Sequence, residues 1–158
     1  MKFLSILFTI LFIGCSGTNI ESADKLWDTA IEYRVNRDFR SSITSLNSII
    51  QNYPNSEFSS KAQFQIADIY LNDVKDYPFA IMEFERVISN HPDATLAKKS
   101  AFMIAYIYSN YLDEYSIAMG KYKLFLEKYP NDELVPSVEF ELEDLRKYQP
   151  TIDSLNNL

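Results

Sequence analysis

The 158-residue chain is poor in the residues that carry most small-molecule chemistry: it has one cysteine, one histidine and three glycines. A zinc site needs about four Cys, His or carboxylate ligands, so zinc is not expected, and a single cysteine allows no disulfide framework within the chain. Gly14 and Gly17 lie near the N-terminus and Gly120 stands alone, so no glycine loop is present to cradle a phosphate. No cofactor, metal or small-molecule substrate is expected. Positive charge is also short, with 15 Lys and Arg against 22 Asp and Glu, a net charge of −7. Nucleic acid and anionic membrane surfaces are bound through cationic patches, so neither is expected as the main partner.

A long apolar run is missing too. Residues Phe3 to Gly14 carry no charge over 12 positions, whereas a spanning helix needs roughly 20 apolar residues. Following Met1-Lys2, the run has the shape of a secretory signal core. It ends at Phe12-Ile13-Gly14-Cys15, and small Gly14 before the lone Cys15 resembles the bacterial lipoprotein lipobox. That resemblance implies cleavage before Cys15 and lipidation of its thiol, with fatty acyl groups such as palmitate as the anchor. Ser16 follows the cysteine, and by the same resemblance the absence of aspartate there implies sorting to the outer membrane, on its periplasmic side. In a host without an outer membrane, the chain would sit on the outer face of the cytoplasmic membrane.

What the sequence does contain is a repeat. Tyr53-Pro54, His91-Pro92 and Tyr129-Pro130 recur at a spacing of 38 residues. Comparing Glu57–Ala94 with Thr95–Asp132 gives ten identities in 38, among them Phe64/Phe102, Ala67/Ala105, Tyr70/Tyr108 and Ala80/Ala118. A fixed period of roughly 20–50 residues marks a solenoid or array. Within each unit the apolar spacing is helical: Phe58, Ala62, Ile66, Ile69 and Tyr70 form one stripe, and Tyr77, Ala80, Ile81, Phe84, Val87 and Ile88 another. Asp38 and Asp76 stand where a carboxylate can cap the next helix, and Pro78 falls in a first turn. Each unit is therefore expected to be a helix–turn–helix hairpin.

These residues resemble the tetratricopeptide repeat family, whose small positions fall on Ala30, Ala67, Ala105, Ser42, Ala80 and Ala118, and whose aromatics fall on Tyr33, Tyr70 and Tyr108. The expected fold is all-α, a right-handed helical-hairpin solenoid of three repeats plus a C-terminal capping helix. Its organisation is a signal peptide (1–14), a lipidated linker (15–22), repeats at about 23–56, 57–94 and 95–132, a cap (133–148) and a tail (149–158). Ala30 to Ser42 spans 12 residues but Ala67 to Ala80 and Ala105 to Ala118 span 13, so units two and three are expected to hold an extra turn residue. The aromatics are expected to fill the space between neighbouring hairpins, and Phe140 and Leu142 to continue the columns of Phe102 and Ile104.

Catalysis finds little support. Glu139, Glu141, Glu143 and Asp144 read as a solvated face of the end helix, and His91, in the slot of Tyr53 and Tyr129, as a packing substitution. No serine or cysteine has a second histidine to activate it. By the family resemblance, the first helices of successive hairpins line a partner-binding groove, here Trp27, Ile31, Phe64, Asp68, Leu71, Asn72, Phe102, Tyr106, Ser109 and Asn110. A lipobox followed by such hairpins is similar to the BamD-type lipoproteins of the outer-membrane protein assembly machinery, and almost as similar to the Tol–Pal-associated periplasmic coordinator. The resemblance implies a lipid-anchored, non-enzymatic scaffold that docks protein partners of the cell envelope. A structural tether without a specific groove ligand stays open beside it.

Overall fold

The computed structural model describes residues 21–92 and 94–148. Cys15, the signal segment and the tail from Gln149 onward lie outside the described residues. The order is α1 (Ala23–Val35), α2 (Phe39–Asn52), α3 (Glu57–Asp68) running on as a π-helical turn (Ile69–Val74), α4 (Tyr77–Asn90), α5 (Thr95–Asn110), α6 (Tyr115–Lys128), α7 (Val135–Leu145) and a 3₁₀ turn (Arg146–Tyr148). The result is the all-α hairpin-repeat solenoid expected from the 38-residue period, closed by a C-terminal helix.

The periodicity extends to the backbone. Proline disfavours helical geometry in the residue before it, and Tyr53, His91 and Tyr129 end α2, α4 and α6 with nearly one conformation, φ −133, −135 and −131 and ψ 49, 56 and 56. The carbonyl of each then accepts the N–H three residues on, from Ser56, Ala94 and Asp132. At the other end of the hairpin, Asp38 Oδ1 accepts the Ser41 N–H at 3.1 Å and Asp76 Oδ1 the Phe79 N–H at 3.2 Å, so both aspartates cap as their positions suggest. Arg37, Lys75 and Asp113 all adopt φ near 60°. These left-handed turn residues are themselves 38 apart.

The extra residue of units two and three does not lengthen the turn. Tyr33, Tyr70 and Tyr108 accept through their carbonyls from the N–H of Asp38, Asp76 and Glu114, one residue further on in the later units. The addition widens the end of the first helix. In unit two it makes the π turn Ile69–Val74, and in unit three Leu112 N–H reaches back to the Ile107 carbonyl. A π turn is the ordinary way for a helix to absorb one inserted residue.

Small residues bring the helices of each hairpin together. Ala30, Ala67, Ala80, Ala105 and Ala118 are fully buried, and Ser42 Oγ donates to the Ala30 carbonyl at 2.8 Å. Three core clusters follow, each drawn from consecutive helices: α1 to α3, α3 to α5, and α5 to α7. Tyr70 packs on the first and second clusters, Tyr108 on the second and third, so these two tyrosines join neighbouring hairpins. Tyr33 departs from that expectation at 39% exposure, because among the described residues no hairpin precedes α1. Phe140 departs from its column at 72% exposure. Phe64 rests on Phe84 and Phe102 on Tyr122, each from the second helix of the same hairpin, and among the described residues α7 has no such helix.

Between α3 and α4, inside the second hairpin, the interior holds a polar group. Gln63 Nε2 donates to Glu83 Oε2, and Arg86 Nη1 approaches Glu83 Oε1 at 2.6 Å. Burial pushes the Glu83 carboxyl above its ordinary value of 4.5, while Arg86 and Gln63 pull against it. A carboxyl raised in this way holds its proton more tightly folded than unfolded. It therefore penalises the fold increasingly as pH rises from about 4.5 through its folded value, and the penalty is relieved as pH falls. Glu83→Gln has no such titration. Denaturation of both chains from pH 7 down to about pH 5 should shift the stability difference in favour of the parent chain as pH falls; a pH-independent difference contradicts this.

Candidate protein-docking face

The candidate groove residues share one face of α1, α3 and α5. Trp27, Ile31, Phe64, Asp68, Phe102 and Tyr106 are half-buried, while Asn72 and Asn110 are exposed. Leu71 and Ser109 are instead buried, at 3% and 8% exposure, and leave the contact set. They occupy one repeat slot, a helical turn beyond Ala67 and Ala105, so they continue the inward stripe of those alanines. The half-buried aromatics have supports from below: Trp27 lies 6.1 Å from Phe58, Phe64 5.2 Å from Phe84, and Phe102 5.8 Å from Tyr122. Each therefore offers a partner only one edge or face. Lys61 and Lys99 sit over the Phe58 and Phe64 rings at 5.4 and 5.3 Å, and Lys61 also pairs with Glu57 at 3.2 Å.

The two ends of this face differ in polarity. At α1 and α3 the charges satisfy one another. Arg34 reaches Asp68 through Nη2 and Asp73 through Nε, both at 2.7 Å, and Asn72 Nδ2 donates to the other Asp68 oxygen at 2.8 Å. Asp68 is thus a brace between the first two hairpins. At α5 to α7 the polar groups are less satisfied. Burial pushes up the Tyr106 phenol, with Tyr111 and Glu141 adding to the effect. Glu141 is itself half-buried, and burial raises its carboxyl while the Asn110 amide opposes the shift. The solvated-face reading thus holds for Glu139, Glu143 and Asp144, which are exposed, and fails for Glu141, which turns toward α5.

Tyr122 completes this end. The residue is fully buried, its hydroxyl has no hydrogen-bond partner among the described residues, and burial, with Glu141 and Tyr106 adding, pushes its phenol far up. Phe140, expected to continue the column of Phe102, lies at the end of the aromatic row as its most exposed member. The register points to it, since it stands 38 residues after Phe102. Its exposure follows from the single capping helix, which among the described residues has no second helix over it.

A hairpin whose small-residue crossing, closing proline turn and face aromatics recur in register is what the tetratricopeptide repeat description covers, and that family matches residues 99–132, most of the third hairpin. The match supports a tetratricopeptide-repeat protein. No curated protein matches the chain. Tetratricopeptide repeats generally mediate protein–protein interaction, and the fold is typically a non-enzymatic scaffold. Among the described residues, no cluster of three or more His, Cys, Asp or Glu could hold a metal ion. The same residues contain no helix long and apolar enough to cross a membrane.

The unpartnered hydroxyl gives this site a stability test. Phe84 fills the Tyr122 slot in the second repeat without a hydroxyl. A buried, unsatisfied polar group costs about 1–3 kcal/mol. Tyr122→Phe should raise stability by about 1 kcal/mol in urea denaturation; a loss would mean that the hydroxyl is bonded in solution.

Proposed function

We propose that the chain is a lipid-anchored scaffold of the cell envelope that docks protein partners on the face made by α1, α3, α5 and α7. Phe140 carries this reading: it ends a row of otherwise supported aromatics and stands 72% exposed. A bulky ring left open beside half-buried Trp27, Phe64, Phe102 and Tyr106 gives that face the aromatic anchors that dominate protein interfaces. The lipobox-like Gly14-Cys15 supports the anchor. Two or more acyl chains, at ~0.8 kcal/mol per buried methylene, would hold the chain stably on a bilayer. With the resemblance to assembly lipoproteins, the role that fits is outer-membrane protein assembly from the periplasmic side.

Crosslinking in intact cells followed by recovery of a C-terminally tagged chain tests this. The parent chain should capture the β-barrel insertion machinery. Phe140→Ser should reduce that capture by about tenfold while changing fold stability by no more than ~0.5 kcal/mol, since an exposed ring adds little to the core. Cys15→Ser should move the protein out of the membrane fraction. Capture of Tol–Pal or cell-wall synthesis proteins instead would assign the coordinator role. Membrane-bound protein that captures nothing, with or without Phe140, would leave only a tether.

A further inference from the structure

The second and third hairpins are built on the same slots and filled differently. In the second, Gln63 and Glu83 are 4% and 5% exposed, and Arg86 holds the Glu83 carboxylate. In the 38-residue register their slots pass to Ala101, Lys121 and Leu124 in the third. Alanine is too short to replace glutamine. The Lys121 ammonium lies 3.9 Å from Glu85 of α4, with a side chain 38% exposed, and does not fill the space. What remains is a cleft of about 280 Å³ between α4 and α6, lined by Ala101 and Ile104 of α5 and by Leu124 and Phe125 of α6, with Lys121 and Lys128 also at its border. It opens on the side of α5 away from Phe102 and Tyr106, so it is separate from the docking face above.

Size and charge restrict the occupant. The volume lies just below the ~300–1,000 Å³ of ordinary ligand pockets, enough for one or two side chains rather than a cofactor. The chain as a whole is acidic, at −7, yet this apolar cleft carries two lysines against the single carboxylate of Glu85. The second hairpin shows what satisfies the same slots from within: a methylene chain tipped by a carboxylate and held by a cation.

We infer that the cleft between α4 and α6 is a second docking site, taking from a protein partner a bulky apolar side chain flanked by a carboxylate. The apolar group lies on Ile104 and Phe125, and the carboxylate pairs with Lys121 and Lys128. The site is independent of the proposed role of Phe140, so either can fail alone.

Titrating the ¹⁵N-labelled full-length chain with the peptide amide acetyl-Leu-Phe-Glu tests it by NMR. Saturable shifts should appear at Ala101, Leu124 and Phe125, and the acetyl-Leu-Phe-Gln amide should bind about fivefold more weakly, as expected for a solvent-accessible ion pair. The triple variant Ala101→Gln, Lys121→Glu, Leu124→Arg rebuilds the polar set of the second hairpin and should abolish the shifts. Lys121→Gln with Lys128→Gln leaves the apolar walls intact and should erase only the preference for Glu over Gln. Equal binding of the two peptides to the parent chain, or undiminished binding to a folded triple variant, overturns the assignment. Saturation by decanoate with none by either peptide would also overturn it, in favour of a lipid chain.

Discussion

The distance between paired helices is set where two small residues meet, and the rest of the molecule follows from it. Ala30 faces Ser42, Ala67 matches Ala80, and Ala105 matches Ala118, all of them buried. In the first hairpin the approach is close enough for a side-chain hydroxyl to reach the other helix's backbone, Ser42 Oγ to the Ala30 carbonyl at 2.8 Å. A larger residue would force the helices apart. That would open the seat in which Leu46, Phe84 and Tyr122 pack at full burial. Because α3 and α5 each belong to two core clusters, the effect would reach the neighbouring hairpin. This is the nearest-neighbour coupling expected of a solenoid.

Identical backbones then leave room for different surfaces. The first two hairpins are tied by Arg34 to Asp68 and Asp73, and α3 is tied to α4 within the second by Gln63 and Glu83, with Arg86 on Glu83, so their polar groups are turned inward on one another. The third hairpin and α7 hold what is unspent: a buried Tyr122 hydroxyl without a partner, a half-buried Glu141, an exposed Phe140 and an apolar cleft bordered by lysines. The open Phe140 ring and most of the cleft's walls fall on this C-terminal half. The N-terminal half, carrying the lipobox-like segment, would provide the attachment.

Much of this is legible in the sequence. The 38-residue spacing of the Tyr-Pro and His-Pro pairs, the alanine positions and the aspartates before α2 and α4 suffice for the hairpins, because each reflects a local steric or capping rule. Exposure is legible only in part. Leu71 and Ser109 share a slot with inward neighbours, which helical phase indicates once the crossing alanines are fixed. Tyr33 and Phe140 carry the repeat's residue types and still face solvent, because a side chain's burial in a solenoid depends on the next unit. The inserted residue in units two and three is visible as a spacing of 13 rather than 12. Its place inside the helix as a π turn is not, since no residue type demands it. The cleft between α4 and α6 becomes visible only when Gln63 and Glu83 are seen to be buried.

Native-state amide hydrogen exchange on Ala105→Leu tests the crossing most directly. Alanine is replaced where two helices touch, so overpacking should cost about 1–3 kcal/mol. Protection should fall in α5, α6 and α7, which share the third core cluster, and less in α1 and α2. Protection unchanged throughout, or lost equally in every helix, would contradict the claim that close small-residue crossings hold each hairpin and pass stability only to its neighbours.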